Sequence, residues 1–148
     1  MLDSVYNAKI LEFAGNIERI GVLDSFDATA KAHSKLCGST VEVFLKMDGE
    51  TVSDFSHKVK ACALGQASSS IMARVVVGST ADELRTLRQT MIAMLKENGA
   101  PPSGKFSDFA FLEPVRDYRA RHASTLLTFD AVVDCLDQVR AAELATQT

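Results

Sequence analysis

An α+β domain is what the sequence predicts: an N-terminal helix, a small antiparallel three-stranded sheet, then three to four helices packed on one face of it. Three observations carry this. Over Thr40 to Met47 the apolar residues Val41, Val43, Leu45 and Met47 share one parity, the period-two signature of a half-buried strand. After Cys62 the spacing changes to three and four residues, through Ala63, Leu64, Ala67, Ile71, Met72 and Val75. Strands come early and helices late, which argues against a parallel βαβ sheet. The 148 residues, 47% hydrophobic and 24% charged, have the composition of one globular unit spanning 1–148, long enough to bury a core without staples.

Each element has its own local reason. Val5, Ile10, Leu11, Phe13 and Ala14 fit one helical face, with Asp3 or Ser4 as N-cap and an end near Gly15. From Gly21 to about Ser34 the chain alternates loosely, with Phe26, Ala28, Ala30 and Ala32 on one parity, a modest strand. Asp48-Gly49 closes a hairpin, because both residues tolerate the positive φ of a type I′ turn, and a second strand runs from Glu50 to about Ala61. Gly78 stops the helix after Cys62. Ser79 or Thr80 caps the next one, with Glu83 at capping-box distance from Thr80, and that helix runs through Leu84, Leu87, Met91, Met94 and Leu95 to Gly99. Ala100-Pro101-Pro102-Ser103-Gly104 breaks the chain. A short helical piece around Phe106 to Leu112 leads to Pro114, and a last long helix runs from about Asp117 or Arg119 to Leu144.

Composition also narrows the function. A net charge of −3 gives no overall attraction to nucleic acid or acidic membranes. No window approaches 18 uninterrupted apolar residues, and the first residues lack a basic and apolar leader, so a cytoplasmic, non-membrane protein is expected. Cys37, Cys62 and Cys135 are an odd number spread widely, which speaks against a disulfide framework and for a reducing compartment.

The hairpin brings two of these cysteines towards each other. If Asp48-Gly49 is a two-residue loop, Cys37 falls opposite Lys60, and Cys62 is its diagonal neighbour on the same face, with backbones roughly 7 to 8 Å apart. Thiolates at that separation can share a metal. Cys62 opens a helix, where free amides and cationic Lys58 and Lys60 favour a thiolate, and Gly38 lets the backbone turn tightly beside Cys37. The alternative is that both are small buried hydrophobes.

These residues carry a resemblance. Leu36-Cys37-Gly38-Ser39, the hairpin, and Ala61-Cys62-Ala63-Leu64-Gly65-Gln66-Ala67-Ser68-Ser69-Ser70 at a helix start resemble the U-type iron–sulfur cluster scaffold proteins, which comprise IscU, SufU and the N-terminal part of NifU. That family reads Leu-Cys-Gly-Asp, then Gly-Cys-Ala-Ile-Ser-x-Ala-Ser, then Arg-x-x-Cys opening the last helix. The similarity extends from Tyr6-Asn7-Ala8-Lys9-Ile10-Leu11-Glu12 through Val115 to Val132. It implies an α+β sandwich of the SufE/NifU type. It also implies cysteines that take sulfur from a cysteine desulfurase, collect iron and hold a labile cluster for apo iron–sulfur proteins: a carrier, not an enzyme with turnover.

This sequence departs from the pattern twice. Ser39 stands where the family has its aspartate, and Ser124, in Arg121-His122-Ala123-Ser124, stands where it has its third cysteine. Hydroxyls are poor ligands for zinc or ferrous iron at neutral pH. Cys37 and Cys62 remain as cofactor and metal ligands for an iron–sulfur cluster, zinc or iron, with Ser39, Ser124 and His122 as further candidates. His122, two residues before Ser124, points roughly 200° away from it on a helix. Cys135 lies too far along the last helix to join and is read as packing. Two cysteines from each of two chains would make four thiolates, which suggests a homodimer.

The remaining clusters are weaker. Arg116, Arg119, Arg121 and His122 read either as a docking surface for an acidic partner or as a solvated helix face. His33 and His57 read as surface or partly buried residues, and Ser68-Ser69-Ser70 as small-residue packing. Two further readings stay open: a metal-free scaffold fold kept as an interaction or regulatory module, and a redox switch closing a Cys37–Cys62 disulfide.

Overall fold

The computed structural model describes residues 6–146. It contains helix α1 (Ala8–Gly15), strands β1 (Ala28–His33), β2 (Thr40–Asp48) and β3 (Thr51–Lys60), then helices α2 (Ala63–Val75), α3 (Ala81–Lys96) and α4 (His122–Thr146). Two 3-10 segments, Gly104–Asp117 and Arg119–Arg121, lead into α4. The N-cap expected at Asp3 or Ser4 lies outside the described residues. α1 is capped by Asn7, whose side chain accepts from the Ile10 amide at 3.0 Å.

The sheet is an antiparallel meander in the order β1-β2-β3. Its core face carries Ala28 and Ala30 on β1, Val41, Val43 and Leu45 on β2, and Phe55 and His57 on β3, all buried. α4 packs across this face, so deeply that its first two turns are buried from Ser124 to Phe129. α2 lies between α1 and α4, and its serines 68 to 70 are fully buried, as small-residue packing requires. α3 opens with the capping box expected from Thr80 and Glu83, and Leu84, Leu87, Met91, Met94 and Leu95 form its buried stripe.

Three expectations are corrected. The strand expected from Gly21 begins only at Ala28. Residues 19–21 instead run beside β3, with the His57 amide donating to the Arg19 carbonyl at 3.1 Å and the Gly21 amide to the His57 carbonyl at 2.9 Å. The last helix begins at His122, since the residues before it are wound in the tighter 3-10 form.

The third correction concerns the hairpin. Asp48 pairs with Thr51, so the loop is Gly49-Glu50, with Gly49 at φ 63°, and a bulge follows between Lys46 and Met47. Beyond the bulge Thr40 pairs with Lys60 and Val43 with His57. Lys60 therefore faces Thr40 rather than Cys37, and Cys37 lies outside the ladder. The shift of three positions, an odd number, exchanges the faces at that end. His57 consequently points into the core, completely buried, and not towards solvent.

Candidate functional site: two thiols joined through two serines

The register that was to bring Cys37 and Cys62 together is absent, yet the two are brought together by a tight turn. The Ser34 amide donates to the Ser39 carbonyl and the Gly38 amide to the Ser34 carbonyl, each at 2.8 Å, which folds residues 34–39 back at the end of β1. Gly38 takes φ 72°, a conformation that L side chains rarely adopt. The turn leaves Cys37 exposed and buries Ser39 beneath it.

Ser39 is the link. Its hydroxyl lies 2.9 Å from Cys37 Sγ and accepts the Cys62 amide proton at 3.3 Å. Cys62 is the N-cap of α2, with φ −66° and ψ 173°, so its backbone amide turns to the 34–39 turn. Its Sγ donates to Ser124 Oγ at 3.5 Å in the first turn of α4. Ser124 Oγ in turn donates to the Arg121 carbonyl at 3.2 Å. This contact depends on Gly65: a Cβ there would stand 2.7 Å from Ala61 Cβ and 3.2 Å from the Ser124 carbonyl oxygen. Cys37, Ser39, Cys62 and Ser124 thus form one hydrogen-bonded group drawn from a turn and two helix N-termini.

The surroundings set the chemistry of the exposed thiol. Cys37 is lowered from its ordinary 9.0 to about 7, chiefly by the hydroxyl of Ser39, next by that of Ser34 at 3.5 Å, with Arg121 adding a smaller electrostatic pull. Ser34, buried at 3% exposure, was not singled out from the sequence. Its position three residues before Cys37 is the one signal that points to it. Cys135 is the opposite case. It is fully buried, its Sγ lies 3.8 Å from the Val43 carbonyl, and burial pushes the thiol up to about 12. It is packing, as expected.

His122 is not brought into the group. Its buried ring directs Nε2 at the carbonyls of Val115 and Arg116, both at 3.1 Å. Among the described residues no three of His, Cys, Asp and Glu are placed to hold a metal ion. The donor set of one chain is therefore two thiols and two hydroxyls, half of the four strong donors that a tetrahedral zinc takes. His33 is exposed. His57 is held by the Glu18 carbonyl at 2.8 Å with its other ring nitrogen buried and unpartnered. The basic cluster is divided: Arg116 donates to the Gly99 carbonyl at 3.0 Å and pairs with Glu113 at 3.3 Å, Arg119 is exposed, and Arg121 lies at the thiol site.

Relatives carry the same architecture. A crystal structure described as a nitrogen-fixing NifU-like protein (N-terminal) from Brucella abortus superposes with a TM-score of 0.93 at 66% sequence identity, covering 95% of this chain and 97% of that one. A protein named iron–sulfur cluster assembly scaffold protein IscU from Thermotoga maritima is 22% identical over 135 residues, 91% of this chain and 94% of its own length. The zinc-dependent sulfurtransferase SufU of Bacillus subtilis is 23% identical over 131 residues, 88% of each chain. The family model for the NifU-like N terminal domain matches residues 5–124, a span that ends on Ser124 itself. With most of its length matched, the chain belongs to the NifU-like N-terminal domain family.

Proposed function

We propose that this protein serves in iron–sulfur cluster assembly as a scaffold-type carrier, with Cys37 and Cys62 as the atoms that take up sulfur and bind iron. The observation that carries the reading is the convergence of Cys37, Ser39, Cys62 and Ser124 into one hydrogen-bonded group at the surface. These are the positions where the resemblance implies the family's ligands. An exposed thiol lowered to about 7 is a competent nucleophile at neutral pH. It attacks the outer sulfur of a donor persulfide, forms Cys37–S–SH and releases the donor as a thiolate, with no net oxidation.

The natural donor is a cysteine desulfurase, and apo iron–sulfur proteins are the recipients. Iron and sulfide enter as cargo. Two thiols and two hydroxyls do not fit a resident zinc, so no step is routed through one. Four thiolates become available only from two copies of the chain, which makes a homodimer the form that would hold a cluster. The working compartment is the cytoplasm; among the described residues no helix is long and apolar enough to cross a membrane.

The test is metal and sulfide analysis of protein purified without oxygen, beside Cys37→Ala and Cys62→Ala. Iron with acid-labile sulfide in the wild type, lost in both variants, is expected. Absence of both metal and sulfur, before and after anaerobic reconstitution, would sink the reading. The second reading, a metal-free interaction module, is favoured by the engagement of both serine hydroxyls in internal hydrogen bonds. It requires that a Cys37→Ala/Cys62→Ala double variant bind partners as the wild type does.

A further inference from the structure

The hydroxyls of the site are oriented, and their orientation separates the roles of the two thiols. Ser39 Oγ accepts the Cys62 amide proton, so its own single proton is free to point at Cys37 Sγ, 2.9 Å away. Ser124 Oγ spends its proton on the Arg121 carbonyl, so it can only accept from Cys62, whose S–H donates to it at 3.5 Å. Cys37 Sγ therefore receives a hydrogen bond from Ser39 besides donating one to Ser34 Oγ at 3.5 Å, whereas Cys62 Sγ only donates, to Ser124. Exposure follows the same order: Cys37 is exposed and Cys62 half-buried. Ser39 Oγ bridges the two residues, 2.9 Å from Cys37 Sγ and 3.3 Å from the Cys62 backbone nitrogen.

We propose that Cys37 and Cys62 act in sequence as a sulfide-releasing pair: Cys37 takes up sulfane sulfur at the surface, and the Cys62 thiol behind it displaces that sulfur as sulfide, leaving a Cys37–Cys62 disulfide. This rests on the reading that the chain accepts sulfur. In the second step Cys62 Sγ attacks Cys37 Sγ, the bond between Cys37 Sγ and the outer sulfur breaks, and the Cys62 proton leaves on the departing sulfur as hydrogen sulfide. The two cysteine sulfurs lose two electrons and the outer sulfur gains them, going from sulfane to sulfide, the oxidation level a cluster needs. An external dithiol resets the disulfide. Ser39 and Ser124 are positioning residues here. Neither supplies a thiolate or carboxylate that would tie the cysteines up as metal ligands.

The experiment uses glutathione persulfide, one equivalent per chain, without oxygen, followed by intact mass measurement and a sulfide assay. Wild type is expected to release one equivalent of sulfide and to lose two hydrogen atoms in mass, with the disulfide mapped to Cys37 and Cys62. Cys62→Ala and Cys62→Ser should instead gain one sulfur atom on Cys37 and release no sulfide in the same interval. A wild type that keeps the extra sulfur as long as Cys62→Ala does would overturn the proposal while leaving sulfur uptake intact. Sulfide release with a glutathione adduct on Cys37 would also overturn it, because the released glutathione and not Cys62 would then be the reductant. No uptake in any form of the protein would overturn this proposal and the sulfur-accepting function together.

Discussion

Removing the Ser39 hydroxyl should move the reactivity of Cys37 in a way that no general loss of structure can imitate. At pH 7 a thiol of pKa about 7 is roughly half ionised, whereas one at the ordinary 9.0 is roughly 1% ionised, so the whole shift changes thiolate by about 50-fold. A more basic thiolate is also a better nucleophile, by about 8-fold over that interval with a Brønsted slope near 0.45. The net difference is about 6-fold, and Ser39, the largest of several causes, should account for about 3-fold of it.

Alkylation by iodoacetamide in a Cys62→Ala background reads this on Cys37 alone, since Cys135 is buried and its thiol is raised to about 12. The alanine keeps the backbone amide that Ser39 accepts. Ser39→Ala should react about 3-fold more slowly at pH 7, shift its half-point from near 7 towards 9, and overtake the parent above both half-points. Ser39→Thr should restore the parent profile. An unchanged half-point, or a slowing by the same factor at every pH, would refute the argument.

Other positions carry separate expectations. Gly65→Ala forces a Cβ to within 2.7 Å of Ala61 Cβ and 3.2 Å of the Ser124 carbonyl, and should cost about 1–3 kcal/mol in urea unfolding while loosening Cys62 from Ser124. Phe129→Ala, which removes the ring packed at a tilt against Phe109 with centroids 4.9 Å apart, should cost about 3–5 kcal/mol by the same measurement. Thr80→Ala removes one arm of the α3 capping box and should cost about 1 kcal/mol, read as a lowered melting temperature.

His57 gives the pH dependence. Burial holds its pKa below the ordinary 6.5, against the opposing pull of the Glu18 carbonyl, so the folded state keeps it neutral. The unfolded chain then binds more protons below about pH 6.5, and stability should fall from there as pH drops towards the folded pKa. His57→Gln should flatten that part of the stability profile, and a slope unchanged by the substitution would assign it to other groups.

Much of the fold was legible because it is written in local chemistry. The period-two run of β2, the capping box of Thr80 and Glu83, and the stripe through Leu84, Leu87, Met91 and Met94 each depend on a few neighbouring residues, and each lies where expected. The register failure has a local cause. Loop residues Gly49-Glu50 and a bulge at Lys46 are one-residue matters of turn chemistry, but a strand pair carries them along its whole length. His57, read as surface or partly buried, became a core residue through that shift.

Sequence alone determined the elements, the family resemblance and the two positions where thiols survive, because these depend on periodicity, capping and motif spacing. Tertiary structure decided what those positions do to one another. The Ser34–Ser39 turn sets Ser39 between the two cysteines, and the absence of a side chain at Gly65 lets α4 bring Ser124 to Cys62. These contacts join residues as far as 62 apart in sequence, and the direction of a hydroxyl proton depends on which carbonyl or amide the fold has placed beside it.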